Sequence, residues 1–563
     1  MKFLRHSYLA LYAFFILSCA RQTTPTGGPR DTIPPSLVQA MPPNGTVNFK
    51  GKTIQLNFDE AVILNNPREQ IIITPDLGKP VDARVKKNQV TVNLETELAP
   101  NTTYSVNFRE AVQDITEKNP AQSLKLAFST GTYIDSLSID GTVMDALTKK
   151  ESKEATVALF QSDTFNIFVY RPTYFTKANE KGHFRIENLK PGSYYLYAFD
   201  DKNKNLIADS KTESYGFVQD LITLSKNIDS IRVPLVRLDS RPITITGARP
   251  SGTFFNIKTS KNLEHYTIRA VDHQPIVSSF GEDFANIRVY NTFDAIDSVG
   301  VHFTATDSIQ HSVDTTLYVK FQKRVTKPEN FQFQLQDLNV IGTKGIIRGN
   351  LQFNKPVLAV NFDSIFYRID STTVVTLTNE SLRWDSLRNK LFIEQQFDKN
   401  LIPKPATATT QQRPRATSTT PSTDRKNSSS NEFYTGNAAF ISIELDSSRR
   451  LIEKATPTKL EETGVLIVQV QTSAPKFFVQ LLNKDYKVLA SSRNSKKFNF
   501  EDLKPGDYQL RLVIDTDDNG KWDPGNFYEN RPPEAVYYYL NEKSVPIINL
   551  KANWELGPLL IKG

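Results

Sequence analysis

Cysteine is almost absent from these 563 residues: Cys19 is the only one, so no internal disulfide can form and no set of cysteines can hold structural zinc. Histidine is scarce as well. His6 aside, His183, His265, His273, His302 and His311 are scattered, without an i, i+4 pair or a His-Glu-x-x-His motif that would place two of them on one zinc ion. There is no Gly-x-Ser-x-Gly elbow, no phosphate-cradling Gly-x-x-x-x-Gly-Lys-Ser/Thr loop and no dinucleotide fingerprint. These absences argue against the common metallo-, serine and nucleotide-dependent enzymes. Carboxylate-pair chemistry stays open, because the fold sets its spacing. A concentrated basic stripe is lacking too, since the net charge is only +7 and pairs such as Lys86-Lys87, Lys149-Lys150 and Lys496-Lys497 are dispersed next to turns. Nucleic acid is therefore not an expected partner.

Long apolar runs are missing except at the start, where Lys2 and Arg5 precede the apolar residues 8–17 (YLALYAFFIL). A bilayer about 30 Å thick needs roughly 20 apolar residues, so this stretch reads as a signal peptide over residues 1–18. Residues 16–19 (Ile-Leu-Ser-Cys) resemble the bacterial lipobox, although Leu17 is a less usual residue there. The resemblance implies that Cys19 becomes the first mature residue and carries a diacylglycerol and an amide-linked acyl chain of the palmitate kind. The alternative is an incidental cysteine beside an ordinary cleavage site. Several acyl chains anchor stably, each buried methylene contributing about 0.8 kcal/mol. Ala20 in place of aspartate resembles the outer-membrane sorting rule, and residues 21–30 lack acidic export signals. The expected address is the outer membrane of a Gram-negative cell, facing the periplasm.

Period-two alternation dominates the rest. Residues 53–58 (TIQLNF) put Ile54, Leu56 and Phe58 on one face, and 89–94, 124–128, 194–199, 441–445 and 508–513 do the same. The expected fold class is all-β, with sandwiches in tandem. Residues 183–209 align without gaps to 497–523, pairing Leu189-Lys190-Pro191-Gly192-x-Tyr194 with Leu503-Lys504-Pro505-Gly506-x-Tyr508. Lys-Pro-Gly predicts a chain reversal, since proline presets φ and glycine accepts positive φ. Together with the opening Ile139, Gly141, Val143, Asp145 and Thr148, this frame resembles the transthyretin-like (carboxypeptidase regulatory-like) β-sandwich, a family that is structural or adhesive.

Residues 34–131 carry Pro43-Asn44-Gly45, Ile54-x-Leu56-x-Phe58-x-x-Ala61-Val62, Leu98-x-Pro100-x-Thr102-x-Tyr104 and Phe128-Ser129-Thr130-Gly131, and they resemble the bacterial Ig-like domain of S-layer and envelope proteins. Leu351-x-Phe353-x-x-Pro356-Val357 and residues 389–393 repeat parts of that pattern. The map is then: signal 1–18, tether 19–33, Ig-like 34–131, transthyretin-like 132–237, a β module of uncertain family 238–326, a degenerate Ig-like domain 327–462, and a second transthyretin-like module 463–563. Residues 403–431, rich in Thr, Ser, Pro and Arg, bury too little apolar surface to offset their ordering entropy, and read as a disordered loop inserted in the degenerate domain.

One segment carries chemistry. Asp515, Asp517, Asn519 and Asp523 stand at positions 1, 3, 5 and 9 of a calcium-type loop, with Gly520 at the bend and Lys521 offering a carbonyl. Position 12 is Asn526, so the closing glutamate of an EF-hand is missing. An acidic turn between strands is the other reading. Asp201, Asn203, Asn205 and Asp209 keep the spacing in the first copy, with Leu206 in place of the glycine, and form a weaker candidate. Calcium is the only cofactor suggested. Trp384, Trp522, Trp554 and Tyr537-Tyr538-Tyr539 suit strand packing better than sugar stacking, Trp522 in its acidic loop being the exception. The expected role is a lipid-anchored structural, adhesive or partner-presenting envelope protein without catalysis. The alternative is a glycan-binding or glycan-processing lipoprotein. Membrane lipid, envelope proteins and glycans are the expected partners.

Overall fold

The computed structural model describes residues 31–162, 166–292, 298–321, 329–402 and 430–563. The expected signal segment 1–18, Cys19 and residues 403–429 lie outside them. Antiparallel strands make up nearly all the regular structure, as the alternation requires. In Thr53–Phe58 the residues Ile54, Leu56 and Phe58 are buried and the intervening polar side chains face outward. Successive side chains on a strand point to opposite faces, so this pattern needs a single apolar partner layer. No helix among the described residues is long and apolar enough to cross a membrane.

The chain divides into two compact units. One holds the residues up to Val143, Ser152–Ala208 and Asp220–Val233; the other holds Met144–Glu151, Asp209–Gln219 and Pro234–Gly563. Segment 132–237 thus contributes to both. In the first unit, Leu37–Met41, Thr53–Phe58, Gln89–Asn93 and Asp82–Lys86 form one sheet in spatial order. Thr103–Asn107 lies between Ile72–Thr74 and Lys125–Ser129 in a second sheet, and Val62–Leu64 pairs with Val112–Asp114. A core including Ile54, Leu56, Val92, Val106 and Phe128 fills the space between. Farther along, Tyr174–Lys177, Thr156–Phe160 and Gly192–Phe199 form a sheet, with Ile222–Leu224 on the start of the last.

Further cores lie in the second unit. The described residues of 243–319 form a two-sheet sandwich around Ile257, Val289, Val301 and Phe303, which gives the middle module an architecture that its sequence left open. A second core gathers Leu351, Tyr367, Leu391, Phe433 and Phe440. The last gathers Leu466, Val479, Leu510, Leu512 and Ile561.

Register shows how closely the repeats agree. In the first Ig-like module Phe58 N–H donates to Asn88 O (2.9 Å) and Val62 N–H to Lys87 O (3.0 Å); in the later copy Phe353 N–H donates to Asn389 O (2.8 Å) and Val357 N–H to Arg388 O (2.9 Å). Lys87 and Arg388 also share a left-handed backbone, with φ of 56° and 54°. The two copies of the Lys-Pro-Gly frame agree in the same way. Tyr194 Oη donates to Lys190 O (2.9 Å) and Tyr508 Oη to Lys504 O (2.5 Å), so each tyrosine closes over the Lys-Pro-Gly reversal before it.

Two expectations need correcting. The alternating run 441–445 is a strand only over Phe440–Ser442, because the chain turns at Leu445, which has φ of 65° and is exposed, and Ser442 N–H donates to Asp446 O. The fold also resumes before the end of segment 403–431. Asn431, placed in the inserted loop by composition, already donates its N–H to Ile369 O, and the strand Glu432–Thr435 pairs with Ile365–Arg368.

Candidate functional site

Strand Gly506–Ile514 pairs antiparallel with Val536–Tyr538, with Val513 opposite Val536 and Ile514 N–H donating to Ala535 O (3.0 Å). Carrying that register one residue further sets Asp515 opposite Glu534. The acidic loop is the excursion between these two positions, and Gly520 takes φ of +76° within it, a conformation that favours glycine.

Asp515 is fully buried. Its Oδ2 accepts from Arg493 Nη2 (3.0 Å) and Gly520 N–H (3.1 Å), while Oδ1 has no hydrogen-bond partner. Glu534 is buried as well: Oε1 accepts from Thr516 N–H (2.6 Å) and Thr516 Oγ1 (2.7 Å), and Oε2 from Asp523 N–H (3.0 Å). Asp515, Asp517 and Glu534 each present a carboxylate oxygen, all three within 4.8 Å of one another, the one such group among the described residues. Cations surround it. Lys476 bonds Asp518 at 2.7 Å and, with Arg493 at 2.9 Å, holds that carboxyl below the usual carboxylate range.

The other residues of the expected loop are engaged elsewhere. Asn519 Oδ1 accepts from Lys521 N–H (2.6 Å), and Asn519 Nδ2 donates to Asp517 Oδ2 (2.7 Å). Lys521 Nζ pairs with Glu264 (2.7 Å). Asp523 accepts from Gly525 N–H (2.8 Å) and pairs with Arg531, whose pKa that hydrogen bond raises. At position 12, Asn526 accepts from Tyr528 N–H (2.9 Å) and donates to Ile309 O (3.3 Å). Glu534 lies outside the loop motif, and spacing alone did not find it. In the first copy Asp209 N–H donates to Glu213 Oε2 (2.8 Å) four residues on, whereas Asp523 N–H reaches Glu534 Oε2 eleven residues on, so no shared spacing marks Glu534.

The sister loop closes on its own backbone. Asp201 accepts from Asn205 N–H (3.0 Å) through one oxygen and Leu206 N–H (3.2 Å) through the other; Asn203 accepts from Asn205 N–H and Asn205 from Ile207 N–H. Asp209 serves its own turn, accepting from Lys211 N–H (3.0 Å) and Thr212 Oγ1 (2.8 Å). Leu206 has φ of 63° where the later copy has glycine.

Trp522 does not stand free as a sugar platform. It packs against the cluster of Phe478, Val513 and Val536, and its Nε1–H donates to Glu534 O (3.1 Å). A cleft of about 420 Å³ opens beside the loop, lined by Glu264, Gln310, Asp517, Lys521, Trp522 and Arg531 among others.

Fold and site together define a multi-sandwich all-β protein with one acidic inter-strand loop. Residues 31–130 match the family model of the bacterial Ig-like domain. No curated protein matches the chain in sequence. Among solved structures it is similar to the Bacillus anthracis TIE protein (10% identity, 95% of this chain and 75% of that one, TM-score 0.13) and to BcpA, the major pilin subunit of Bacillus cereus (11%, 76% and 99%, TM-score 0.13). Surface layer protein SbsC, domains 1–6, is similar at 9% identity over 86% of this chain and 66% of that one, with a TM-score of 0.13.

Proposed function

We propose that this chain is a lipid-anchored protein of the cell envelope with a structural or adhesive role and no catalytic one. The observation that carries this reading is the recurrence of two sandwich designs down to individual hydrogen bonds: the chain spends its length on repeated packing frames. Such modules hold surfaces in place. The Ig-like match over 31–130 and the lipobox-like residues 16–19 support the envelope address. Envelope proteins or glycans are the proposed partners, and the outer membrane of a Gram-negative cell, periplasmic side, is the proposed site. The domain limits given from the sequence form part of this proposal. Crosslinked capture of the native lipoprotein from intact cells tests the role. Recovery of envelope components that are lost with a soluble Cys19→Ala form supports it. Turnover of an envelope polymer by the purified protein would overturn it.

A further inference from the structure

We propose that Asp515, Asp517 and Glu534 form a calcium site, closed by Glu534 from beyond the loop rather than by its twelfth residue. An acidic turn alone would not carry this. Asp515 adds an independent observation, for it is fully buried, and its Oδ1 has no partner although its Oδ2 has two. An orphaned carboxylate oxygen without solvent is costly unless a cation reaches it. Because Arg493 binds the other oxygen, guanidinium and metal need not compete for the same atom.

The geometry admits calcium. Oxygens held about 2.4 Å from one ion lie at most about 4.8 Å apart, and the three carboxylates here fall within that limit. Magnesium, at about 2.1 Å, requires a tighter set and keeps more water. Asp517 is exposed and borders the cleft beside the loop, which gives the ion an entry path. Glu534 is fixed by Thr516 and Asp523 N–H before any ion arrives, so little ordering remains to oppose binding. The sister loop provides an internal contrast, since both Asp201 oxygens are already satisfied by backbone donors.

The test is calorimetric titration of the full mature chain, stripped with chelator, using calcium chloride and then magnesium chloride. One calcium ion per chain is expected, more weakly matched by magnesium. Asp517→Ala, at an exposed position that the core does not use, and Glu534→Gln should each weaken binding at least about tenfold, corresponding to 1.4 kcal/mol or more. Asp201→Asn should leave it unchanged. No binding by the wild-type chain up to about 10 mM, above the range of weak extracellular sites, would overturn the proposal. So would wild-type affinity in Asp517→Ala. Wild-type affinity in Glu534→Gln would remove the closing role of Glu534, and that variant's near-UV circular dichroism checks its fold. None of these outcomes depends on the lipid anchor.

Discussion

Lys355 shows how one side chain can fix a module. Its side chain is 1% exposed and its Nζ lies 2.6 Å from Glu444 and 2.9 Å from Asp446, so it is the cation that lets two carboxylates sit near a core. Replacing it with methionine keeps most of the apolar stem but leaves them uncompensated. Removing one partner of a fully buried pair costs about 3–5 kcal/mol; because Glu444 and Asp446 retain some solvent, about 2–3 kcal/mol is expected for Lys355→Met, read from denaturant unfolding. The acid limb tests the same contact. Burial pushes the Asp446 carboxyl up, but the Ser442 hydroxyl and Lys355 ammonium outweigh it and leave the folded value lowered. Its stabilisation is therefore complete above the unfolded pKa of about 3.9 and fades as pH falls through the lower folded value. The stability gap between wild type and Lys355→Met should narrow below about pH 4. A gap that stays constant to pH 2 would mean that the ion pair contributes nothing.

At the scale of elements, the matched turns before Gln89–Asn93 and Lys390–Gln396 separate backbone from side-chain effects. Lys87 and Arg388 both carry a left-handed backbone, a conformation that costs a non-glycine residue about 1–2 kcal/mol. Lys87 is exposed, so Lys87→Gly should raise stability by roughly 0.5–1 kcal/mol once the greater freedom of the unfolded chain is counted. Arg388→Gly should lower it. Its Nε donates to Val357 O at 2.8 Å and its guanidinium lies 5.1 Å from the Trp384 ring centre, contacts that glycine gives up. Paired unfolding curves decide this, and equal shifts of the same sign would refute it. The strands around these turns were legible in sequence because alternation is a local property, as the burial of Ile54, Leu56 and Phe58 illustrates. Lys-Pro-Gly marked its reversals for the same reason. What stayed hidden depends on partners distant along the chain. Asp515 meets Glu534 only through the register of Gly506–Ile514 on Val536–Tyr538, and Lys355 meets Asp446 only once Val357–Val360 has paired with Phe440–Ser442. Tertiary pairing also cut the run 441–445 short.

Across the whole molecule, the proposed lipid-anchored address rests on Cys19. Cys19→Ala should move the protein from the membrane fraction to a soluble or precursor form and abolish incorporation of labelled palmitate. A processed mutant that stays with the membranes would end the lipid-anchor reading. Melting of the intact chain gives a second global readout. If calcium binds only the folded state, tenfold excess over its dissociation constant should stabilise the segment containing Gly506–Ile514 by about 1.4 kcal/mol, and chelator should reverse the shift. Identical melting profiles with and without chelator would contradict it.

The equivalent registers of the two Ig-like modules also bear on how the chain avoids tangling while it folds. Tandem modules of one design can exchange strands as they emerge, and such misassembly is a characteristic failure of repeat proteins. Phe58 and Val62 correspond by register to Phe353 and Val357, so the slot between them holds Glu60 in one copy and Lys355 in the other. Glu60 sits near Asp114, and burial together with that neighbour raises its pKa. If the strand Thr53–Phe58 and its extension took the place of Ile346–Phe353, Glu60 would face Glu444 and Asp446 with no ammonium between them. The reverse exchange would take Lys355 away from both of its carboxylates. The opposite charges at this slot would thus disfavour each exchanged pairing once the slot is buried.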